Sequence, residues 1–315
     1  MKLDFIVAGF RKCGTTSIYK VLSQHSQIYI PAVKEVDFFA DEREYAKGYD
    51  WYVKRYFGDC PREKLKGEVN PRLSMLDKTV PKKIYENAGK DVKLIFSVRN
   101  PVESLYSLFK MRALYGRAFP EEEKELNLEE KQNDMFDYFV RSNFVYEDGR
   151  YVANQERTRE RMIESGKYSC YIKEYLKYFS KDQIKIIIFE EYIKDPMIIY
   201  QDLFSFLGIQ EESHIDYYEK AMDGNRVPIS IESMLEYDRI AEIYETGILG
   251  YNTADYGRDL RLRLQYEKDV EKTVKIPAVK YKMGSYAREI LNSYYEEEKK
   301  AMEDLLGRDL GTLWW

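Results

Sequence analysis

The segment that most constrains the fold of this chain is a short apolar run followed by a glycine-bounded loop. Residues 5–8 (FIVA) are apolar without interruption, which is typical of a parallel strand that is buried on both faces. A loop follows over residues 9–16, and Ile18, Val21 and Leu22 then recur at helical spacing. A strand, a loop and a helix in this order predict the first unit of an α/β domain.

The same unit recurs twice along the chain. Residues 92–98 (VKLIFSV) predict a second strand, and Asn100 and Pro101 suit the cap and the first position of the next helix. Residues 184–189 (IKIIIF) predict a third strand, the Asp-Pro pair at 195–196 caps the helix after it, and Gly208 is expected to end that helix. Weaker strands are predicted near residues 28–30 and 67–69. Strands that alternate with helices predict an α/β class, a P-loop-containing three-layer fold whose central, mostly parallel sheet is flanked by helices.

The length of 315 residues fits a single large domain with insertions. Two regions interrupt the alternation, namely the charge-rich residues 116–160 and residues 210–282. We expect both to be insertions over the mouth of the sheet, and the alternative is that they are solvated helices. Residues 285–306 predict a long amphipathic helix that ends at Gly307, after which Trp314 and its neighbour are expected to pack on the core.

Composition and charge argue against several classes of function. The net charge of −5 provides no general basic field, so nucleic acid is not an expected partner. Three cysteines without a CxxC spacing argue against a disulfide framework and against a zinc site. The apolar runs are too short for a membrane helix or a signal segment, so we expect no integral membrane segment and a cytoplasmic location.

The loop has two glycines at the spacing of a Walker A loop. Backbone N–H groups between a strand and a helix favour an anion, and Gly9 and Gly14 bound such a loop. Walker A has a lysine after its second glycine, where this chain has Thr15, while Arg11 and Lys12 come earlier. The loop therefore suits a 5′ anion of two tetrahedral groups, with Lys12 beside the bridging oxygen, unless it is a glycine turn without a ligand. The residues predicted to bind this anion are Arg11, Lys12, Cys13, Gly14, Thr15, Thr16 and Ser17.

A second anion site is predicted where the strand over residues 92–98 ends. Arg99 follows that strand, at the edge where open α/β sheets bind ligands, and its planar fork suits phosphate oxygens. Ser107 in the following helix adds a hydroxyl donor, and the alternative for Arg99 is a surface salt bridge. A nucleotide with a 3′-phosphate needs both sites, whereas ATP needs only the loop.

Together, these motifs resemble the sulfotransferase superfamily, and within it the heparan sulfate sulfotransferases and bacterial carbohydrate sulfotransferases. Residues 5–16 (FIVAGFRKCGTT) resemble the family's 5′-phosphosulfate loop, and residues 94–107 (LIFSVRNPVESLYS) resemble its 3′-phosphate motif. Residues 34–39 (KEVDFF) are similar to the stretch that carries the catalytic carboxylate, and residues 67–71 (GEVNP) fall in the family's order. The resemblance covers most of residues 3–208.

The resemblance implies transfer of a sulfuryl group from 3′-phosphoadenosine 5′-phosphosulfate (PAPS) to a hydroxyl acceptor, preferably a carbohydrate. The transfer leaves adenosine 3′,5′-bisphosphate and needs no metal. Glu35 is the implied base, and Lys12 stabilises the departing 5′-phosphate oxygen. The alternative for Glu35 is an ion pair with Lys34 or another surface cation. Lys282 matches, faintly, a late basic loop with which the family binds the nucleotide.

Three positions depart from the family pattern. Asn100, Asp37 and Val69 stand where members often carry aspartate, histidine and lysine, respectively. We assign acceptor binding to Asp37 and Arg72, and the alternative for Arg72 is a structural salt bridge. His25, just past a helix end, is expected to cap carbonyl groups rather than to act as a base.

Two other functions stay open at this point. A P-loop kinase of a small metabolite shares the fold but requires the missing lysine and a carboxylate that holds magnesium. A non-catalytic nucleotide-binding protein with a decayed site is the second. A dinucleotide oxidoreductase is disfavoured, because no GxGxxG follows the first strand. A lipid, a phenol or a peptide tyrosine is the alternative acceptor.

Overall fold

Five parallel strands form the central sheet of the computed structural model, which describes residues 1–74, 78–114, 135–154, 160–218 and 283–315. The described residues form seven strands, of which β5 and β6 lie outside this sheet: β1 (Phe5–Gly9), β2 (Ile28–Tyr29), β3 (Leu65–Val69), β4 (Lys93–Val98), β5 (Phe144–Glu147), β6 (Arg150–Ala153) and β7 (Ile184–Ile188). The sheet has the order β2-β3-β1-β4-β7, and each neighbouring pair is parallel. The five predicted strands and their parallel arrangement are confirmed.

Helices follow the strands as the sequence predicts. They are α1 (Thr15–Leu22), α2 (Glu42–Tyr45), α3 (Tyr49–Phe57), α4 (Val80–Asn87), α5 (Pro101–Leu114), α6 (Met135–Asn143), α7 (Glu160–Glu164), α8 (Tyr168–Tyr175), α9 (Phe189–Lys194), α10 (Pro196–Leu207) and α11 (Ser285–Leu306). Helix α10 begins where the Asp195 carboxylate accepts the N–H of Ile198 at 3.3 Å. It ends at Gly208, whose φ of +82° is a conformation that glycine adopts without strain. Both predicted ends of this helix are confirmed.

The sheet is covered on both faces, because successive side chains of a strand point to opposite sides. In β1, Ile6 and Ala8 belong to one apolar core, while Phe5 and Val7 belong to the other. The first core includes side chains of α3, α4 and α8, and the second includes side chains of α1 and α10. The sheet and its two helical layers therefore form the predicted three-layer arrangement.

The chain divides into two compact units. The first, which contains the sheet, comprises Met1–Pro101, Lys167–Ala221 and Glu298–Trp315, and the second comprises Val102–Gly166 and Met222–Glu297. In the second unit, β5 and β6 pair as an antiparallel hairpin, and the Tyr295 hydroxyl donates to the carbonyl of Ile163 at 2.6 Å. This hairpin and α6 are the main described parts of the predicted insertion at 116–160. Most of the predicted insertion at 210–282 lies outside the described residues.

The C-terminal segment has the predicted form. Helix α11 has the predicted bounds, and it is followed by Gly307 with a φ of +68°. Trp314 is fully buried in the first core, and its carbonyl oxygen accepts the side-chain N–H of Asn100 at 2.6 Å. This contact connects the end of the chain to the residue that follows Arg99. Across the described helices, none combines the length and the apolar character that crossing a membrane requires.

Candidate active site

The glycine-bounded loop follows β1 and is held by the neighbouring strand β4. The Ser97 hydroxyl donates to the carbonyl oxygen of Cys13 at 2.5 Å. Lys12 and Gly14 both adopt left-handed conformations, with φ of +63° and +84°. Glycine is required at the second of these positions, because a Cβ there would lie 2.9 Å from the Phe189 ring. Contacts from β4 and from Phe189 therefore restrict the path of the loop.

Helix α1 begins directly after the loop. The N–H groups of its first turn have no acceptor within the helix, and Gly14 has no side chain to cap them. The first residue with a helical hydrogen bond is Ile18, whose N–H donates to the Gly14 carbonyl at 3.1 Å. Thr15, at the Walker lysine position, is buried. The helix end favours a negatively charged group. The candidate side chains around it are partly buried, namely Arg11, Lys12, Thr16 and Ser17.

Arg99 lies against this loop, as the second predicted anion site requires. Its Nη1 atom is 3.4 Å from the carbonyl oxygen of Lys12. Its guanidinium carbon is 4.7 Å from the centroid of the Phe189 ring. The next residue, Asn100, donates its backbone N–H to the Glu190 carboxylate at 2.9 Å. The loop and Arg99 therefore meet at the carboxyl ends of β1 and β4.

The nucleotide-binding roles of all these residues stay predictions, including those of Ser107 and Lys282. Ser107 lies in α5, within the second unit, and its side chain is partly buried. Lys282 lies outside the described residues. The roles proposed for these two residues therefore depend on the sequence resemblance.

Glu35, the predicted base, is joined to the loop region through Lys34. The Lys34 Nζ atom donates to Glu35 Oε1 at 2.8 Å and to Thr16 Oγ1 at 3.1 Å. Only 8% of the Lys34 side chain and 17% of the Glu35 side chain are exposed. Glu35 has a φ of +63°, and its N–H donates to the carbonyl of Val69 at 3.2 Å. The ion pair with Lys34, which was the alternative role for Glu35, is present, and it lies beside the first turn of α1.

The two residues assigned to the acceptor contact each other. Nη1 of Arg72 donates to Oδ2 of the buried Asp37, so the salt bridge that was the alternative role for Arg72 is present. The side chain of Asn70 donates to Asp37 at 3.3 Å and to Glu68 at 3.4 Å. The Tyr52 hydroxyl donates to the second carboxylate oxygen of Glu68. A connected polar network therefore lies at the end of β3, beside the segment that carries Glu35.

Glu68 is the least exposed acidic member of this network, with 1% of its surface accessible. Burial raises the pKa of its carboxyl to about 8, and the charge of Asp37 adds to this effect. Hydrogen bonds from Tyr52 and Asn70 act in the opposite direction. A carboxyl group with this pKa is mostly protonated at neutral pH, so the network contains a neutral acid next to the ionic pair.

The two histidines are engaged elsewhere. The His25 ring accepts the N–H of Gln27 at Nδ1, at 3.1 Å, and its Nε2 lies 2.8 Å from the carbonyl oxygen of Gln210. The His25 ring therefore binds a carbonyl group 185 residues away in the sequence, and not the end of the helix that precedes it. Nε2 of His214 lies 3.0 Å from the carbonyl oxygen of Gln24. Among the described residues, no group of three or more histidine, cysteine, aspartate or glutamate side chains is arranged to hold a metal ion.

Sequence reasoning missed the bridge that Lys34 forms and the network around Glu68. Lys34 was considered only as a surface partner of Glu35, although its position next to the candidate base was a sequence signal for a role in the site. Glu68 and Tyr52 gave weaker signals, because residues 67–71 were noted only for their order in the chain and Tyr52 is one of 29 tyrosines. Only the fold shows that Thr16, Lys34 and Glu35 form a continuous chain of contacts.

Comparisons with known proteins identify relatives of this chain. Residues 2–227 match the family model described as the sulfotransferase domain. Heparan sulfate glucosamine 3-O-sulfotransferase 5 of Mus musculus is 25% identical over 204 residues, which cover 65% of this chain and 53% of the mouse protein. The bifunctional heparan sulfate N-deacetylase/N-sulfotransferase of Drosophila melanogaster is 26% identical over 227 residues, covering 65% of this chain and 20% of that protein. The chain thus spans about half the length of the mouse relative, and less of the fly protein.

A solved structure shares the fold. The crystal structure of a sulfotransferase from Alicyclobacillus acidocaldarius aligns over 99% of both chains, with a TM-score of 0.59 and 21% sequence identity. At this sequence identity the similarity shows a common architecture only. The chemistry has to be argued from the residues of the site. The P-loop-containing α/β fold predicted from the sequence is therefore confirmed.

Proposed function

Because the chain belongs to the sulfotransferase family, we propose that it transfers a sulfuryl group from PAPS to a hydroxyl group of a carbohydrate. The observation that carries this proposal is the contact between Arg99 and the carbonyl of Lys12. It brings a guanidinium group to the loop that begins α1. A nucleotide with anionic groups on both its 5′ and its 3′ carbon is suited to this pair of sites, whereas a triphosphate needs only the loop.

The donor is proposed to bind with its 5′-phosphosulfate on the loop and its 3′-phosphate on Arg99. The N–H groups at the start of α1 supply hydrogen bonds to the 5′ group, and Lys12 supplies a positive charge. The guanidinium fork of Arg99 matches two phosphate oxygens at once. Ser107 and Lys282 are proposed to add a hydroxyl and a charge to the nucleotide site. Thr15 replaces the lysine that a kinase loop uses for the γ-phosphate, which disfavours ATP.

The transfer is proposed to proceed in line, with Glu35 as the base. Glu35 removes the proton of the acceptor hydroxyl while the acceptor oxygen forms its bond to sulfur. The bond between sulfur and the bridging oxygen breaks, and its electron pair stays on the 5′-phosphate. Lys12 neutralises the charge that develops on this oxygen. The products are a sulfate ester, adenosine 3′,5′-bisphosphate and the proton on Glu35, and no step requires a metal ion.

A carbohydrate is the proposed acceptor. The support is the similarity to relatives named for heparan sulfate and glucosamine sulfation. In addition, 36% of the Arg72 side chain is exposed while it is paired with Asp37, so this cation is accessible to an anionic sugar. An acceptor carboxylate or sulfate would compete with Asp37 for the same guanidinium group. A simple phenol has no such anionic group to place on Arg72.

The proposal is tested by following labelled sulfuryl from PAPS into a panel of glycan, phenol and lipid acceptors. Glu35→Gln is expected to lower turnover by about 100-fold or more, the contribution of a general base. Its affinity for adenosine 3′,5′-bisphosphate should stay close to that of the unaltered enzyme. Glu42→Gln is a matched control, since Glu42 also pairs with a lysine but is 74% exposed. Near-normal turnover of Glu35→Gln would refute the base, and phosphoryl transfer from ATP would favour the kinase.

A further inference from the structure

Lys34 connects the two halves of the proposed reaction. Its Nζ atom is 3.1 Å from Thr16 Oγ1, on the first turn of α1, and 2.8 Å from Glu35 Oε1. Since both contacts share one nitrogen, the hydroxyl oxygen and the carboxylate oxygen are at most about 6 Å apart. The sulfuryl group must travel from the donor on the loop to an acceptor beside Glu35. The Lys34 ammonium group therefore lies between the loop that binds the donor and the carboxylate beside which the acceptor binds.

We infer that Lys34 is a positioning residue for sulfuryl transfer, which holds Glu35 as an oriented carboxylate and turns Thr16 toward the donor. This inference rests on the proposed function. Lysine is among the residues least often buried, and a lysine with 8% of its side chain exposed requires partners. Here its partners include the candidate base and a hydroxyl of the anion site.

The direction of the two hydrogen bonds supports this role. An ammonium group only donates, so Thr16 Oγ1 must accept from Lys34, and its own hydrogen points in another direction. Thr16 stands on the helix end that favours an anion, where a hydroxyl donor stabilises a donor oxygen. The same ammonium group fixes one oxygen of Glu35. A single side chain therefore orients a group on the donor side and a group on the acceptor side.

The charge of Lys34 has a second consequence. A cation at hydrogen-bond distance favours the ionised form of a carboxylate, which is the form that accepts a proton from the acceptor hydroxyl. When Glu35 takes that proton, the carboxyl becomes neutral and no longer balances the ammonium charge. The cation then lies beside the sulfuryl group while negative charge is shifting toward the donor. Lys34 thus stabilises the ionised form of Glu35 before the proton moves. After the proton has moved, it stabilises the negative charge of the transferring sulfuryl group.

The backbone conformation of Glu35 is consistent with a fixed orientation of its carboxylate. Glu35 adopts a φ of +63°, which is uncommon for a residue with a Cβ, and its N–H is bound to the Val69 carbonyl. Such conformations persist where the surrounding contacts specify them, and they concentrate at functional sites. Contacts on the backbone and on the carboxylate therefore both restrict where the base points.

The test compares Lys34→Met and Lys34→Gln with the unaltered enzyme. Methionine removes the charge and the hydrogen bonds, whereas glutamine removes the charge but keeps an N–H donor on a side chain that is one atom shorter. Both are expected to lower kcat by about 10- to 100-fold, and to move the acid limb of the pH–rate profile to higher pH by about one unit. Lys34→Arg retains a cation and should restore the position of the acid limb. Binding of adenosine 3′,5′-bisphosphate should weaken by less than about 5-fold.

Lys83→Met is the matched control, because Lys83 is also largely buried, at 11%, and paired with a glutamate, but belongs to α4. It should leave kcat and the pH–rate profile unchanged. A profile of Lys34→Gln that coincides with that of the unaltered enzyme would overturn the inference, even if Lys34→Met does not fold. A loss confined to the melting temperature would overturn it as well. Failure of the proposed function is distinguishable, because the unaltered enzyme would then transfer no sulfuryl group.

Discussion

The guanidinium group of Arg99 contacts the carbonyl oxygen of Lys12 at 3.4 Å. These residues follow β4 and β1, which are adjacent and parallel, so that their carboxyl ends meet at one edge of the sheet. The Phe189 ring lies under the guanidinium group and limits its orientations. The fork is therefore directed at the loop before a ligand binds, which reduces the ordering required on binding.

Arg99→Ala should weaken the binding of adenosine 3′,5′-bisphosphate by about 10- to 100-fold, as expected for hydrogen bonds to a charged group. Binding of adenosine 5′-phosphosulfate, which has no 3′-phosphate, should change by less than about 3-fold. Isothermal titration calorimetry with both nucleotides measures the difference. Arg308→Ala is the control, since this arginine forms an exposed ion pair with Glu191. Equal losses for the two nucleotides would show that Arg99 does not recognise the 3′-phosphate.

Two glycines with nearly the same backbone conformation allow the cost of backbone strain to be distinguished from the cost of a steric clash. Gly14 has a φ of +84° and Gly208 a φ of +82°, but a Cβ would lie 2.9 Å from the Phe189 ring only at Gly14. Both alanine variants are expected to lose about 1 to 2 kcal/mol from the left-handed conformation. Gly14→Ala should lose more, and should also weaken nucleotide binding, because the loop must shift. Thermal unfolding and calorimetry test this, and equal stability losses with unchanged binding would contradict it.

The buried carboxyl of Glu68 should make stability depend on pH. Its folded-state pKa of about 8 lies above the ordinary value of 4.5, so the folded protein binds a proton that the unfolded chain releases between these values. This stabilising contribution is complete below pH 4.5 and is lost as the pH rises through 8. Between pH 5.5 and 8, the unaltered protein should lose on the order of 3 kcal/mol relative to Glu68→Gln. Urea unfolding at both pH values measures this, and a constant difference between the two proteins would contradict it.

Most of the fold follows from local sequence patterns. An uninterrupted apolar run predicted β1 and mainly apolar runs predicted β4 and β7, because a strand that is buried on both faces lacks a regular polar alternation. The Asp-Pro start and the Gly208 end of α10 were readable because capping depends on residues that are adjacent in sequence. The β5–β6 hairpin was not predicted. Its strands are four residues each and carry charged and aromatic side chains in a charge-rich region.

The sequence predicted that Arg99 and the loop lie together, because parallel strands end at one edge of the sheet, and it did not predict the polar connections. The bridge through Lys34 joins residues 18 positions apart, and the Arg72–Asp37 pair joins residues 35 apart. Side-chain pairs at such separations are set by tertiary packing rather than by local pattern. The elevated pKa of Glu68 likewise depends on complete burial, which one acidic residue in a strand does not reveal.

The most direct test of the central claim is a titration of the unaltered protein with adenosine 3′,5′-bisphosphate and, in parallel, with ATP and AMP. A site formed by the loop and Arg99 should bind the bisphosphate at least about 10-fold more tightly than either competitor, because only the bisphosphate engages both cationic positions. It should do so without added magnesium. Tighter binding of ATP, or equal affinities for the bisphosphate and AMP, would contradict a site shaped around a 3′-phosphorylated nucleotide.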